Sequence, residues 1–360
     1  MLTLMLWFCA LIHFGAPKIG CRDENNNVVD WYYLYKLPVK ISDGPSHAGV
    51  RYTFITPNEA NNWQLSNRNI NETDSIPGRT LDTVLKDSKD LLVLLYNDEP
   101  PLNKTDEIRG HAKGVVVTDG SFGFWLIHSV PKYPPELGQS YTYPETGKKY
   151  GQSFLCISMT ADQMEFVGQQ LLLNEPHVYS FNAPAILRDR FPLLVQAGNM
   201  KNYDKPPHWN IVELKSRAGV AFHSFAKNRL FRKELYADLI APALQVDLFV
   251  ESWQRGSGDL PSDCSTSNWK VLNVKKVSIG KRYRFTTLDD HSKWAVSTKG
   301  FPNYVCVGDI NRQEHQKMRG GGSVCSQLTA ASTVYRNTVE DAEQCNNLSY
   351  VPNYWSNIHL

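Results

Sequence analysis

His111-Ala112-Lys113-Gly114-Val115-Val116-Val117-Thr118 can be laid on His291-Ser292-Lys293-Trp294-Ala295-Val296-Ser297-Thr298, 180 residues later, with His, Lys, Val and Thr at the same offsets. Each copy follows a short polar stretch and runs into an apolar, strand-like segment. In a strand, residues i and i+2 share a face, so each His and Lys pair can reach one anion. An imidazole can attack phosphorus or carry a proton, and an ammonium can neutralise a phosphoryl oxygen; together they suit a phosphodiester. His-x-Lys alone is a chance-level pattern. A third example, His315-Gln316-Lys317, lacks the following apolar strand. The matched eight-residue frame is what sets the first two apart.

These pairs need strands to hold them. In the first half, apolar runs at Trp31–Leu37, Val50–Ile55, Leu91–Tyr96, Gly114–Thr118, Phe122–His128 and Phe154–Ser158 predict strands. A helix is predicted from Thr160 to about Leu173, with Gln163 completing a capping box and Met164, Val167 and Leu171 forming its apolar stripe. In the second half a helix is predicted over about Phe225–Leu244. Strands follow at Gln245–Trp253, Trp269–Val277, Ser292–Ser297 and Tyr304–Val307. This alternation indicates α/β or α+β, with a boundary in the Pro-, Asn- and His-rich stretch 175–210. Trp31, Trp125 and Trp294 are read as core residues. Asp289-Asp290 is read as a turn or an orienter of His291.

The 360 residues suit two domains of ordinary size or one large α/β unit, and 42% hydrophobic with 21% charged residues exclude a disordered or fibrous chain. A formal charge of +2 excludes a polybasic binder of histone type but allows a local basic cleft. The ten His would add about eight to ten positive charges between pH 7 and pH 5. Residues 1–16 form an apolar run ended by small residues and Pro17, read as a signal peptide. One of the seven Cys, Cys9, lies in it. The other six suggest three disulfides, with 15 connectivities open. No CxxC supports a zinc site. Sequons at Asn71, Asn103 and Asn347 fit the same secretory route.

Two His–Lys motifs in one chain resemble the phospholipase D superfamily, although Thr118 and Thr298 stand where its usual acidic residue would be. A closer resemblance spans nearly the whole mature chain. Its carriers are Asp30-Trp31-Tyr32 with Tyr35-Lys36-Leu37-Pro38, His111-Ala112-Lys113-Gly114, Gly123–Pro131, Asp290-His291-Ser292-Lys293-Trp294, Val305–Arg312 and Arg319-Gly320-Gly321-Gly322. By these the chain is similar to the deoxyribonuclease II family, which also lacks the acidic residue.

That resemblance implies a phospholipase D-like α/β fold of two pseudo-symmetric halves, each a mixed β-sheet flanked by helices. The implied organisation is a signal peptide at 1–20 and halves at 21–175 and 176–360. The implied activity is a metal-independent acid endonuclease that needs no cofactor. It would cut double-stranded DNA to 3′-phosphate products through a phosphohistidine, in lysosomal breakdown of engulfed or apoptotic DNA, with secretion as an alternative. His111 would attack, His291 would protonate the leaving group, and Lys113 and Lys293 would bind the scissile phosphate. His128, Asn311, Arg312 and Arg319 would contact phosphate or DNA, and Gly320–Gly322 would form a loop that lets backbone approach it. The implied disulfides are Cys21–Cys156, Cys264–Cys345 and Cys306–Cys325. The mature form would be free of the membrane, as a monomer or a homodimer. The competing readings are a lipid phosphodiesterase on the same fold and a non-catalytic secreted nucleic-acid-binding glycoprotein.

Overall fold

The computed structural model describes residues 19–41, 48–102, 105–106, 108–200, 202–264 and 269–345. The proposed signal segment, Cys9, Asn103 and Asn347 lie outside the described residues. Asn71 is exposed in the turn ahead of the first helix.

Eight strands form the first sheet: β1 (Trp31–Lys36), β2 (Tyr52–Ile55), β3 (Gln64–Leu65), β4 (Leu92–Asn97), β5 (Lys113–Thr118), β6 (Phe122–His128), β7 (Gln152–Thr160) and β8 (Val178–Asn182). Nine form the second: β9 (Trp209–Lys215), β10 (Ala221–Lys227), β11 (Leu248–Glu251), β12 (Val271–Ile279), β13 (Tyr283–Thr286), β14 (Trp294–Ser297), β15 (Val305–Gly308), β16 (Gly321–Ser326) and β17 (Val339–Ala342). The helices are α1 (Ile76–Lys86), α2 (Glu145–Lys148), α3 (Met164–Asn174), α4 (Ala185–Arg190), α5 (Pro192–Asn199), α6 (Ala241–Leu244) and α7 (Thr329–Thr338). The runs β4-β5-β6-β7-β1 and β11-β14-β15-β16-β10 correspond strand for strand, and every neighbouring pair in them is antiparallel. Each His–Lys pair leads into the second strand of its run. β8 follows residue 175 in sequence yet pairs with β4 in the first sheet.

The uninterrupted Val115-Val116-Val117 run reflects a strand buried on both faces. Val115 and Val117 enter one apolar cluster, and Val116 enters another. The second of these clusters draws on both sheets: Tyr33, Tyr35 and Trp125 from the first, Trp294, Val296 and Val324 from the second. Polar bonds cross the same seam. Tyr33 Oη lies 2.8 Å from Ser326 Oγ, and the Trp294 indole N–H donates to Tyr35 Oη at 3.2 Å. The three predicted tryptophans are core residues, each 4% exposed or less. Disulfides join Cys21 to Cys156 on β7, Cys264 to Cys345, and Cys306 on β15 to its cross-strand neighbour Cys325 on β16.

Several local expectations change. The helix predicted from Thr160 opens as a 3-10 turn, and Thr160 makes no side-chain cap. Gln163 Oε1 accepts from the Lys215 N–H instead, so tertiary contact replaces the capping box. Only the second half of the helix predicted over Phe225–Leu244 forms. Phe225–Lys227 completes β10, Arg229–Phe231 is a 3-10 turn, and the helix runs from Leu235 through a π-turn at Tyr236–Ile240 into α6. The stretch after Asn199, read as a boundary, leads into β9.

Candidate active site

His111 sits one residue pair ahead of β5 and is 7% exposed. Its backbone N–H donates to Gly320 O at 2.8 Å, and its imidazole Nδ1 donates to Asp309 O at 2.5 Å. Both acceptors belong to the second sheet's loops. His291 mirrors this. Its N–H donates to Gly151 O at 2.9 Å, and its Nδ1 donates to Ser129 O at 2.9 Å, with Gln152 Oε1 a second acceptor at 3.2 Å. Ser129 and Asp309 directly follow β6 and β15. Gly151 and Gly320 directly precede β7 and β16. Each half therefore orients the other half's catalytic candidate through equivalent backbone carbonyls. Carbonyl acceptors fix the proton on Nδ1 and leave each Nε2 lone pair free to attack or to take a proton. The weld at Gly151 has no room for a side chain, since a Cβ there would lie 2.3 Å from Asp290 Oδ1.

The lysines of the two halves are held differently. Lys113 Nζ donates to Asp98 Oδ1, and Glu99 lies 3.9 Å away. Asp98 Oδ2 also accepts from Arg319 at 3.1 Å and lies 3.9 Å from His111 Nε2. Burial alone would raise the Asp98 carboxyl, but Lys113 and Arg319 outweigh it and hold it below the usual range. Lys293 Nζ instead donates to His291 O at 2.7 Å. Burial, reinforced by Lys113, depresses its ammonium to about 7. Burial lowers both imidazoles well below their usual range. The cations Lys113, Arg319 and Lys293 add to this at His111, and Lys293, Lys113 and His111 add to it at His291. The two motifs thus share one electrostatic centre. Burial also pushes Asp309 up to about 8 and raises Glu251 well above the carboxylate range, so both are neutral acids at mildly acid pH.

Replacing Asp98 by Asn removes the counter-charge from two buried cations. It should destabilise the fold by about 3–5 kcal/mol, the range for breaking a buried ion pair. Urea unfolding at pH 6 checks this. A loss under about 1 kcal/mol would show that Lys113 and Arg319 are held by other partners.

The remaining candidates separate. Arg319 belongs to the centre, and it also donates to Arg109 O at 2.9 Å. His128 is 1% exposed, packs on Tyr133 and Phe154, and accepts from the Val130 N–H through Nδ1. Its Nε2 has no hydrogen-bond partner among the described residues, and burial, reinforced by Lys113, lowers its pKa well below the usual range. Asn311 Oδ1 accepts from the Trp253 N–H at 3.3 Å, so it steadies the loop beside His291. Arg312 is drawn elsewhere. Its guanidinium bonds Asn273 Oδ1, faces Glu234 at 3.7 Å, and lines a separate cavity of about 870 Å³. The expected Gly320–Gly322 loop is the entry to buried strand β16. A Cβ at Gly322 would lie 2.3 Å from Phe225 O, so strand packing requires that glycine. Asp290 orients no imidazole directly: it accepts from Tyr35 Oη and from the Ser292 N–H and hydroxyl. His315 is exposed in a 3-10 turn.

The sequence reading missed Asp98, Ser129, Gln152, Glu251, Trp253 and Asp309. A signal for two of them existed. Ser129 and Asp309 occupy the same place in the two halves, immediately after the strand that follows each His–Lys strand.

Two facing sheets, each supplying one His–Lys pair to a shared cationic centre, define a two-half phospholipase D-like α/β fold. The family model described as Deoxyribonuclease II matches residues 20–345. The chain is 37% identical to Deoxyribonuclease-2-beta of Rattus norvegicus, over 96% of this chain and 98% of that protein. It is 35% identical to Deoxyribonuclease-2-alpha of the same species, over 94% and 98% of the two chains. It is also 35% identical to Cell-death-related nuclease 7 of Caenorhabditis elegans, over 97% and 94%. The chain belongs to the deoxyribonuclease II family, and it is a deoxyribonuclease whose substrate is DNA.

Proposed function

We propose that this deoxyribonuclease is a metal-independent acid endonuclease that cuts double-stranded DNA to 3′-phosphate and 5′-hydroxyl ends through a phosphohistidine. The observation that carries it is the reciprocal orientation of two imidazoles, each with an open Nε2, among Lys113, Lys293 and Arg319. His111 Nε2 attacks phosphorus, the P–O5′ bond breaks, and His291 gives its proton to O5′. His291 then takes a proton from water as the oxygen attacks phosphorus. The P–N bond breaks, leaving a 3′-phosphate and restoring both imidazoles. Lys113, Lys293 and Arg319 bind the non-bridging oxygens. These cations offset the charge that a divalent metal would otherwise neutralise.

Plasmid nicking at pH 5 in EDTA should match nicking without chelator. Loss of cleavage in EDTA with rescue by Mg²⁺ would overturn the mechanism.

The same reading takes residues 1–20 as a signal peptide and 21–175 and 176–360 as the two halves, the second lending β8 to the first sheet, with glycans on Asn71, Asn103 and Asn347. It takes the lysosome as the working compartment and engulfed or apoptotic DNA as the substrate in the cell. Three disulfides and an acid-tuned site support it, as does the word "cell-death" in the name of the nematode relative. No helix among the described residues is long and apolar enough to cross a membrane.

A further inference from the structure

The correspondence between the halves breaks at one place. In the strand registers, Asn97 lies opposite Lys113, while Glu251 lies opposite Trp294. Asp98 and Trp253 are therefore equivalent. Gly320 and Gly151 accept the N–H groups of His111 and His291, so the preceding residues, Arg319 and Tyr150, are equivalent too. On the His111 side this pair of positions holds an ion pair, Asp98–Arg319. On the His291 side it holds two rings, Tyr150 and Trp253, in edge contact at 4.7 Å between centroids.

The Trp253 ring also lies 5.0 Å from the His291 ring. Arg255 sits over both aromatic rings, 5.4 Å from the Tyr150 centroid and 5.7 Å from that of Trp253. Its side chain is 37% exposed, and its only close carboxylate contact among the described residues is Asp289 at 3.8 Å. Lys149 adds a second exposed cation 5.0 Å from the Tyr150 ring. Tyr150 and Trp253 are each partly exposed. An aromatic pair capped by exposed cations, at the rim of a phosphodiester site, has the composition of a nucleobase platform: rings stack on a base while cations hold the adjoining phosphate.

We propose that Tyr150, Trp253 and Arg255 form a base-stacking subsite for the nucleotide flanking the scissile phosphate on the His291 side. The proposal rests on the nuclease reading above and extends it. With His291 as the proton donor, that nucleotide carries the leaving 5′-oxygen. The ionic Asp98–Arg319 side offers no such surface, so the two flanks of a cut phosphate are recognised by different chemistry. The enzyme grips one base on the leaving side and only backbone on the other. Stacking also requires that base to tilt out of its duplex neighbours, which favours mismatched or frayed steps.

The test uses duplex oligonucleotides with one preferred cut site, carrying an abasic residue on the leaving side, on the other side, or on neither. With the unsubstituted protein, the leaving-side abasic residue should lower kcat/KM at that phosphate at least ~10-fold, the scale of one lost base–aromatic stack. The other-side abasic residue should change it less than ~3-fold. In Tyr150→Ala and, separately, in Arg255→Ala, intact and abasic duplexes should be cut at nearly equal, reduced rates. Trp253→Leu is avoided as the primary variant because its ring also contacts His291. An unchanged abasic penalty in both variants, or equal penalties on the two sides in the unsubstituted protein, would overturn the subsite. Failure of the unsubstituted protein to cut any duplex in EDTA would instead overturn the metal-independent nuclease reading.

Discussion

His111→Ala and His291→Ala are each expected to lower turnover on plasmid DNA by at least ~10²-fold, because each removes a chemical role rather than a contact. The structure separates the roles through a substrate whose leaving group needs no proton. On bis(p-nitrophenyl) phosphate, His291→Ala should still allow attack by His111 and then stall, because no base activates the water. The result is a burst of about one nitrophenolate per enzyme followed by a slow steady state, with acid-labile phosphate retained on the protein. His111→Ala should give no burst. Lys113→Ala and Lys293→Ala should raise KM as well as lower kcat. The main anchors of both imidazoles are backbone carbonyls of the opposite half, and His291 also meets Gln152 Oε1, Lys293 Nζ and the Trp253 ring. Circular dichroism should therefore match the unsubstituted protein for both variants, with a larger drop in melting temperature for His291→Ala than for His111→Ala. A correctly folded His variant that kept most of its activity, or a burst from His111→Ala, would reverse or remove these assignments.

The second large effect is the pH profile of kcat/KM. Attack needs one neutral imidazole, and departure of the 5′-oxygen needs one protonated imidazole. The active form thus carries one proton across a coupled pair. In the free enzyme, burial and the surrounding cations lower both groups below their usual range, so at neutral pH both are neutral and the acid is missing. The rate should rise about tenfold per unit as pH falls toward the upper pair value, then fall once both imidazoles are protonated. Lys293 acts in the same direction. With its ammonium depressed to about 7, it is largely uncharged at pH 8 and cationic at pH 5, so phosphate binding also improves with acid. The maximum lies below pH 6.5. Salt should weaken DNA binding but leave the shape of single-turnover cleavage at saturating enzyme intact. A rate that climbed steadily to pH 8 would point to a metal-bound hydroxide instead of a His acid.

The two His–Lys pairs were legible in the sequence because a strand's two-residue period turns spacing directly into geometry. The apolar runs gave β1, β2, β4, β5, β6, β7, β11, β12, β14 and β15, because strands buried on both faces read as short apolar segments. What escaped was long-range. Asp98 reaches Lys113 across a strand pair, and Asp309 reaches His111 through its main-chain oxygen, which any residue type could supply. Arg312 directly follows Asn311 in a family-like segment, yet its guanidinium turns toward Asn273, a choice set by tertiary packing alone. The first half of the Phe225–Leu244 helix failed for a related reason. Its apolar residues recur at helical spacing, but Phe225–Lys227 is claimed by pairing to β9 and β16.

The exchange of carbonyls between the halves also bears on when the enzyme becomes dangerous. During synthesis the first half emerges with His111 but without Asp309 or Gly320, and the second half emerges with a histidine that needs Ser129 and Gly151 already in place. Neither imidazole can be locked in its working tautomer until nearly all of the described chain has been made and the two sheets have docked. A half-unfolded copy carries both imidazoles and none of their alignment. The architecture thus acts as an interlock that ties the arming of the site to the docking of the two sheets.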